Sequence, residues 1–209
     1  LRVTPYNYFS EQEYQMISTY RKIINAPKAW AQKRVLITFD GAAHYAEVYL
    51  NGERIGEHYS GYTAFTLELT DKLILGKDNI LIIKLDSRES LDIPPFGKVI
   101  DYMTYGGIYR DVYLDIKEHI YLSDVFVKPE MTGKIASEVR VAGEIPEGTY
   151  IEQYATLGNE SLYIGKKGVF TGEAEIHGFI KDVKLWRLDS PTLYEIKTEL
   201  YTGGKLMDT

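Results

Sequence analysis

The stretch Asp101-Tyr-Met-Thr-Tyr-Gly-Gly-Ile-Tyr-Arg-Asp-Val-Tyr-Leu114 decides how the rest of the chain is interpreted. Its second half alternates Val112, Leu114 and Ile116 with polar or aromatic residues, the period-two pattern of a strand with one buried face. The first half cannot be a regular strand, because Gly106-Gly107 permits positive φ or a close backbone approach. The stretch therefore predicts an irregular loop that runs directly into a β-strand.

Three tyrosines crowd one acidic side chain in the irregular half. Tyr102, Tyr105 and Tyr109 lie close in sequence to Asp101. A pyranose has an apolar C–H face that stacks on aromatic rings, and its hydroxyls donate hydrogen bonds that a carboxylate accepts. The pattern therefore fits a sugar contact. The structural alternative is that the tyrosines belong to the core and Asp101 caps a turn.

Composition narrows the class of protein. The 209 residues are 44% hydrophobic and 13% aromatic, enough for one large core or two small ones, and we predict two. The chain has no cysteine, so neither disulfides nor thiolate metal sites are available, which is compatible with a cytoplasmic location. The net charge of −6 comes without a basic stripe, which argues against a nucleic-acid partner. No apolar run approaches the roughly 20 residues of a membrane helix.

Alternating apolar residues predict a series of short strands before residue 118. Ala46, Val48 and Leu50 point one way and lead into Asn51-Gly52. This dipeptide is the strongest short hairpin signal, because a type I′ turn needs positive φ at both central residues. The run 80–85 is nearly continuously apolar and predicts a strand that is buried on both faces.

A long interruption follows that run. Residues 86–100 mix charges with Pro94-Pro95 and then lead into Asp101. A long loop without repeats inside a compact domain is uncommon and often functional. With no convincing long helix in the pattern, residues 1–118 are expected to form a two-sheet sandwich of jelly-roll type.

A second domain is expected at residues 119–209, because the alternation breaks near Lys117-Glu118-His119. Its short strands are spaced as in an immunoglobulin-like sandwich without a disulfide. Trp186 is expected to pack over the edge of its core, and Pro191 to fix the turn before the Tyr194 strand. The fold class is therefore all-β, a jelly-roll sandwich followed by an immunoglobulin-like sandwich.

The same motifs resemble a known family. Tyr105-Gly-Gly-Ile-Tyr-Arg-Asp-Val112 is similar to the signature in the amino-terminal sandwich domain of the family 2 glycoside hydrolases, the group of the β-galactosidases and β-glucuronidases. The resemblance continues in the family's order at Tyr20-Arg21-Lys22, Ala46-Glu-Val-Tyr-Leu-Asn-Gly52, Gly61-Tyr62-Thr63 and Pro191-Thr-Leu-Tyr194. It implies the same two domains that the strand pattern predicts.

The resemblance also implies where catalysis takes place. In this family the two catalytic glutamates lie on a (β/α)₈ barrel that follows the immunoglobulin-like domain. The chain shows no alternation of strands with long helical patterns that could build a barrel. It is therefore expected to carry no catalytic residue and to be the amino-terminal part of a longer enzyme. Its start at Leu1, without methionine or the apolar core of a signal peptide, leads to the separate expectation that the given sequence begins inside a longer gene product.

Several functions remain open at this point. The motifs are most similar to those of a β-galactosidase, which would act on a carbohydrate through its barrel, and next to those of a β-glucuronidase. A free-standing carbohydrate-binding module and a purely structural tandem sandwich are the alternatives from other classes. No cofactor is expected, and weak self-association through an exposed face is compatible with each function.

The resemblance assigns one substrate-binding residue, Asp101. In β-galactosidases of the family, the aspartate at this distance before the Gly-Ile-aromatic-Arg segment contacts substrate hydroxyls, and in some members it helps hold a sodium ion. A second family residue, an asparagine, falls near Gln15, where the local match is poor and the role is not carried over. Arg110 is expected to pair with Asp111 or with a carboxylate of a neighbouring domain. No protein metal site is expected, because the four histidines lack ligand spacing.

Overall fold

The computed structural model describes residues 16–88, 90, 92–93 and 106–209. They fall into two compact units that divide between Ile116 and Lys117. Regular structure in these residues is almost entirely β-strand, with two short 3₁₀ helices at Lys28–Trp30 and Thr70–Lys72. The predicted all-β fold class is confirmed. No helix in the described part of the chain is long and apolar enough to cross a membrane.

The first unit is a sandwich with one core. Its strands, in chain order, are β1 (Ile17–Asn25), β2 (Arg34–Phe39), β3 (Ala42–Ala43), β4 (Tyr45–Leu50), β5 (Glu53–Tyr59), β6 (Phe65–Glu68), β7 (Asp78–Asp86), β8 (Gly107–Ile108) and β9 (Val112–Lys117). One sheet has the order β1-β7-β4-β5 and the other β6-β2-β9, and a short ribbon pairs β3 with β8. Alternate residues of β2, β4 and β7 are buried in one hydrophobic cluster between the sheets.

The hairpin between β4 and β5 has the predicted turn, with φ of 53° at Asn51 and 87° at Gly52. Asn79, which is 0% exposed, holds this turn from inside the core. Its Oδ1 accepts hydrogen bonds from Asn51 Nδ2 and from the backbone N of Ile74, both at 2.8 Å. Its Nδ2 donates to the carbonyl oxygens of Ile74 and Lys77, both at 3.1 Å. One buried amide therefore fixes two turns of the first unit.

Strand β7 is less buried than the sequence predicts. Leu81, Ile83 and Leu85 face the core, whereas Ile80 is 38% exposed. The prediction of burial on both faces is wrong because β7 lies in an antiparallel sheet. Such a sheet can leave one face in water even where that face carries isoleucine.

Strand β9 shows the same effect at a sheet edge. Leu114 packs against the core, but Val112 and Ile116 are 39% and 36% exposed. The alternation correctly predicts a strand, yet the predicted continuous buried face is wrong. As the outer strand in the order β6-β2-β9, it has only part of its apolar side covered.

The second unit is also a two-sheet sandwich. Its strands are β10 (Tyr121–Pro129), β11 (Lys134–Ala142), β12 (Tyr150–Leu157), β13 (Glu160–Gly168), β14 (Glu173–Phe179), β15 (Glu195–Thr202) and β16 (Lys205–Asp208). The sheet orders are β10-β11-β14 and β13-β12-β15-β16, as expected for an immunoglobulin-like sandwich.

A buried polar chain crosses the core of the second unit. Ser137 Oγ donates to Gln153 Oε1 at 2.8 Å, and Gln153 Nε2 donates to Thr198 Oγ1 at 3.0 Å. Each of the three side chains has a hydrogen-bond partner. This row of hydrogen bonds therefore links β11, β12 and β15 and leaves none of the three side chains without a partner. Trp186 is 56% exposed and lines an apolar groove together with the core residues Ile135 and Ile180.

Candidate functional site

The site residue predicted from the sequence, Asp101, lies outside the described residues, as do Tyr102, Tyr105 and Gln15. The structure does describe Gly106–Asp111, the segment that follows Asp101 in the chain. The candidate site in the described residues therefore consists of the contacts that hold this segment.

The segment is joined to the first unit through the β3–β8 ribbon. Ala42 pairs with Ile108, and Ala43 pairs with Gly107. Gly107 has φ of 92°, and a Cβ there would lie 2.7 Å from Tyr20 Oη. The glycine thus meets both requirements that the sequence predicts, a positive φ and a close approach.

Ser87, which follows strand β7, fastens the segment 106–111 to the sandwich. This side chain is buried, at 4% exposure. Its Oγ donates to the carbonyl of Ala43 at 2.8 Å and accepts from the backbone N of Gly107 at 3.1 Å. Ser87 therefore joins Gly107 to strand β3 and to the residue that follows strand β7 at a single point. Sequence reasoning missed Ser87, because a serine at a strand end has no periodic or compositional signature.

Asp86 and Arg88 flank Ser87 and form an ion pair. Arg88 Nη2 donates to Asp86 Oδ2 at 2.5 Å, and Arg88 Nε donates to Oδ1 at 2.9 Å. The guanidinium holds the pKa of the Asp86 carboxyl below its ordinary value, mainly through these hydrogen bonds. Asp86 is therefore ionised near neutral pH and holds the Arg88 side chain beside the end of strand β7.

Tyr109 anchors the end of the segment to two glycine turns. Its phenol donates to the carbonyl of Gly61, and its backbone N donates to the carbonyl of Gly41 at 3.4 Å. A Cβ at Gly41 would lie 3.0 Å from the Tyr109 ring, and one at Gly61 would lie 3.0 Å from His44 Nδ1. A side chain at Gly41 would thus crowd Tyr109 of the segment, whereas one at Gly61 would crowd His44.

Arg110 has a different partner from the one predicted. Its Nη1 donates to the carbonyl oxygens of Tyr62 at 3.3 Å and Asp40 at 3.5 Å, and its guanidinium lies 5.2 Å from the Tyr109 ring centroid. In the described part of the chain it forms no ion pair with Asp111, so that partner is wrong, and the alternative, a carboxylate of a neighbouring domain, stays a prediction. Main-chain carbonyls of two turns take the guanidinium donors instead, and the residue still acts structurally.

These contacts position a segment and contain no metal centre. In residues 16–88, 90, 92–93 and 106–209, no group of three or more histidine, aspartate or glutamate side chains could hold a metal ion. The arrangement fixes the backbone of residues 107–110 against the sandwich, and a rigid backbone of this kind can form one wall of a binding site.

Comparison with known proteins identifies both units. Residues 5–118 match the family model of the glycosyl hydrolases family 2 sugar binding domain. Residues 120–209 match the model described as glycosyl hydrolases family 2. The two sandwiches thus match two domain models of one hydrolase family. The chain belongs to family 2 of the glycosyl hydrolases.

Individual relatives carry two activities in their names. The chain is 33% identical to a β-galactosidase of Thermoanaerobacter pseudethanolicus, over 98% of this chain and 28% of that protein. It is 29% identical to a β-glucuronidase of Bacteroides fragilis, over 92% of this chain and 30% of that protein. The crystal structure of Bacteroides uniformis β-glucuronidase superposes with a TM-score of 0.82 at 25% identity, covering 93% of this chain and 26% of that one. The chain spans less than a third of the length of these relatives.

Proposed function

We propose that this chain is the non-catalytic, amino-terminal portion of a family 2 glycoside hydrolase that acts on terminal β-galactosides. It contributes one wall of a substrate pocket whose catalytic residues lie on a (β/α)₈ barrel elsewhere in the protein. The observation that carries the proposal is the match of both units to models of one hydrolase family over less than a third of the relatives' length.

Galactoside is preferred because the β-galactosidase relative has the higher identity, 33% against 29% for the β-glucuronidase. The second candidate is a β-glucuronidase of the same family. The TM-score of 0.82 with the Bacteroides uniformis enzyme favours it.

Within this function, Asp101 contacts hydroxyl groups of the sugar. The support is its position six residues before Gly107, which Ser87 fastens to the sandwich at 3.1 Å. Tyr109 and Arg110 add further anchors just beyond.

The second unit carries an apolar groove that fits the same proposal. Met131, Trp186 and Leu193 line it and are 81%, 56% and 75% exposed, and its volume is about 440 Å³. Monomeric soluble proteins rarely leave such large side chains together in water. We assign the catalytic barrel as the occupant, since the relatives are more than three times as long as this chain.

The proposal is tested by hydrolysis of 4-nitrophenyl β-galactoside and 4-nitrophenyl β-glucuronide. We expect the full-length protein to cleave the galactoside with the higher kcat/KM, and residues 1–209 to cleave neither substrate. Faster cleavage of the glucuronide would select the second candidate. A full-length protein that hydrolyses neither compound, or turnover by residues 1–209 alone, would contradict the proposal.

A further inference from the structure

The outward face of the four-stranded sheet of the first unit carries a compact group of aromatic and charged side chains. Tyr45 of β4 lies opposite Tyr59 of β5, and Glu47 lies opposite Glu57. On the other side of β4, Lys84 of β7 lies opposite Glu47. We call the group the Tyr59 face, and it consists of Tyr45, Glu47, Arg54, Glu57, Tyr59 and Lys84.

Tyr59 offers an open aromatic surface. It lies at the end of the edge strand β5 and is 57% exposed. One side of its ring stacks on Tyr45, with centroids 4.5 Å apart and an angle of 25° between the planes. The ring is thus held in place on one side, and its exposed surface faces solvent. A fixed, flat aromatic surface is the feature against which the C–H face of a pyranose stacks.

Glu57 lies beside this ring with one oxygen saturated. Its Oε2 accepts from the phenols of Tyr45 at 2.7 Å and Tyr59 at 3.0 Å, and from Arg54 Nη2. In the described part of the chain, every hydrogen bond of this carboxylate goes to Oε2, which leaves Oε1 for an outside donor. The Tyr45 phenol, followed by that of Tyr59, lowers the pKa of Glu57, so the group is ionised at neutral pH. A sugar hydroxyl is a suitable donor to such an acceptor.

The charges of the face balance. Glu47 pairs with Lys84 at 3.2 Å and lies 3.6 Å from Arg54 Nε, while Arg54 also pairs with Glu57. Two carboxylates thus meet two cations, and no charge is left without a partner to attract an ionic ligand. A ligand of this face should therefore be neutral.

Cross-strand pairing alone explains part of this arrangement, because such pairs stabilise sheets that face water. Pairing does not explain why the Tyr59 ring is fixed with one surface exposed. Nor does it explain why Glu57 Oε1, beside that ring, accepts no hydrogen bond from a described residue. In the tyrosine-rich sheet of the second unit, by contrast, the Tyr150 ring is covered by neighbouring side chains. There Lys166 Nζ lies 3.4 Å from the Tyr150 ring centroid, and the Tyr201 ring stacks on Tyr150 at 5.1 Å.

We propose that the Tyr59 face is a second carbohydrate site that binds a neutral glycan. One pyranose stacks on the Tyr59 ring and donates a hydroxyl hydrogen bond to Glu57 Oε1. The site includes neither Asp101 nor any catalytic group, so it goes beyond the proposed function and does not depend on it. Its role is to hold a polysaccharide or oligosaccharide on the protein surface.

The test is an NMR titration of residues 1–209 with β-1,4-linked galactotetraose. We expect a Kd of about 1 mM and chemical-shift changes centred on residues 45 and 53–59. Tyr59→Ala should weaken binding at least tenfold, whereas Tyr59→Phe, which keeps the ring, should retain most of it. Tyr163→Ala is the matched control, because Tyr163 is 56% exposed on the second unit, and it should bind as the wild type does.

A β-1,4-linked glucuronate tetramer tests the preference for neutral ligands and should bind at least tenfold more weakly. No shift changes at residues 53–59 up to about 10 mM ligand would overturn the proposal, as would wild-type affinity of a folded Tyr59→Ala variant. Equal or tighter binding of the glucuronate tetramer would overturn the neutral ligand class. These outcomes are independent of the proposed function, since that function is tested by hydrolysis of 4-nitrophenyl glycosides.

Discussion

Replacing Asp101 with asparagine in the full-length enzyme is expected to lower kcat/KM for a β-galactoside by about 10- to 100-fold. Asparagine keeps the shape of the side chain and removes its charge. Hydrogen bonds to a charged acceptor contribute about 1.5 to 3 kcal/mol, and they raise the rate when they tighten in an oxocarbenium-like transition state. The melting temperature should be nearly unchanged.

Asp92→Asn is the matched control for this kinetic measurement. Asp92 is an exposed aspartate in the same interstrand segment, and its backbone N donates to Ser90 Oγ at 3.0 Å. It should leave kcat/KM and the melting temperature unchanged. If Asp101→Asn keeps wild-type kinetics but lowers the melting temperature by several degrees, Asp101 is a turn residue and its assignment to the substrate is wrong.

Replacing Asn79 with alanine is expected to lower the free energy of unfolding of the first unit by about 3 kcal/mol. The fully buried amide accepts from Ile74 and Asn51 and donates to the carbonyls of Ile74 and Lys77. Alanine removes all of these bonds and leaves backbone groups unpaired in a site with little access to water. The Asn51-Gly52 hairpin loses its anchor at the same time.

Urea unfolding followed by circular dichroism measures this effect. Asn159→Ala is the control, because Asn159 is exposed in the turn between β12 and β13, and a change below about 0.5 kcal/mol is expected there. A loss of less than about 1 kcal/mol in Asn79→Ala would mean that water replaces the amide and that the turn does not depend on it.

The features that the sequence predicts correctly depend on local rules. Asn51 and Gly52 adopt positive φ because a two-residue turn between strands demands it, whatever surrounds them. Gly107 is a similar case, since the backbone conformation and the nearby Tyr20 hydroxyl both exclude a side chain. The strand character of β7 and β9 also follows from their own residues.

The features that the sequence does not predict depend on what lies across the sheet. Whether Ile80 or Val112 is covered depends on the second layer, which alternation within one strand does not report. Arg110 bonds to carbonyls about 50 and 70 residues away instead of its neighbour Asp111. Ser87 acquires its role only when β3 and β8 pair.

The Tyr59 face is another product of long-range pairing. Tyr45 and Tyr59 meet through the register of β4 and β5. Lys84 joins them from β7, far along the chain. Neither the spacing nor the composition of these residues indicates that one ring and one carboxylate oxygen stay open beside each other.

The central claim is that this chain supplies only one wall of the substrate pocket, which a barrel elsewhere in the protein completes. Isothermal titration calorimetry of residues 1–209 with galactose tests it most directly. We expect no saturable heat, or a Kd weaker than about 10 mM, because galactose meets only one wall of the substrate pocket in this chain. A Kd below about 100 μM with selectivity for galactose over glucose would contradict the account and identify a free-standing carbohydrate-binding module.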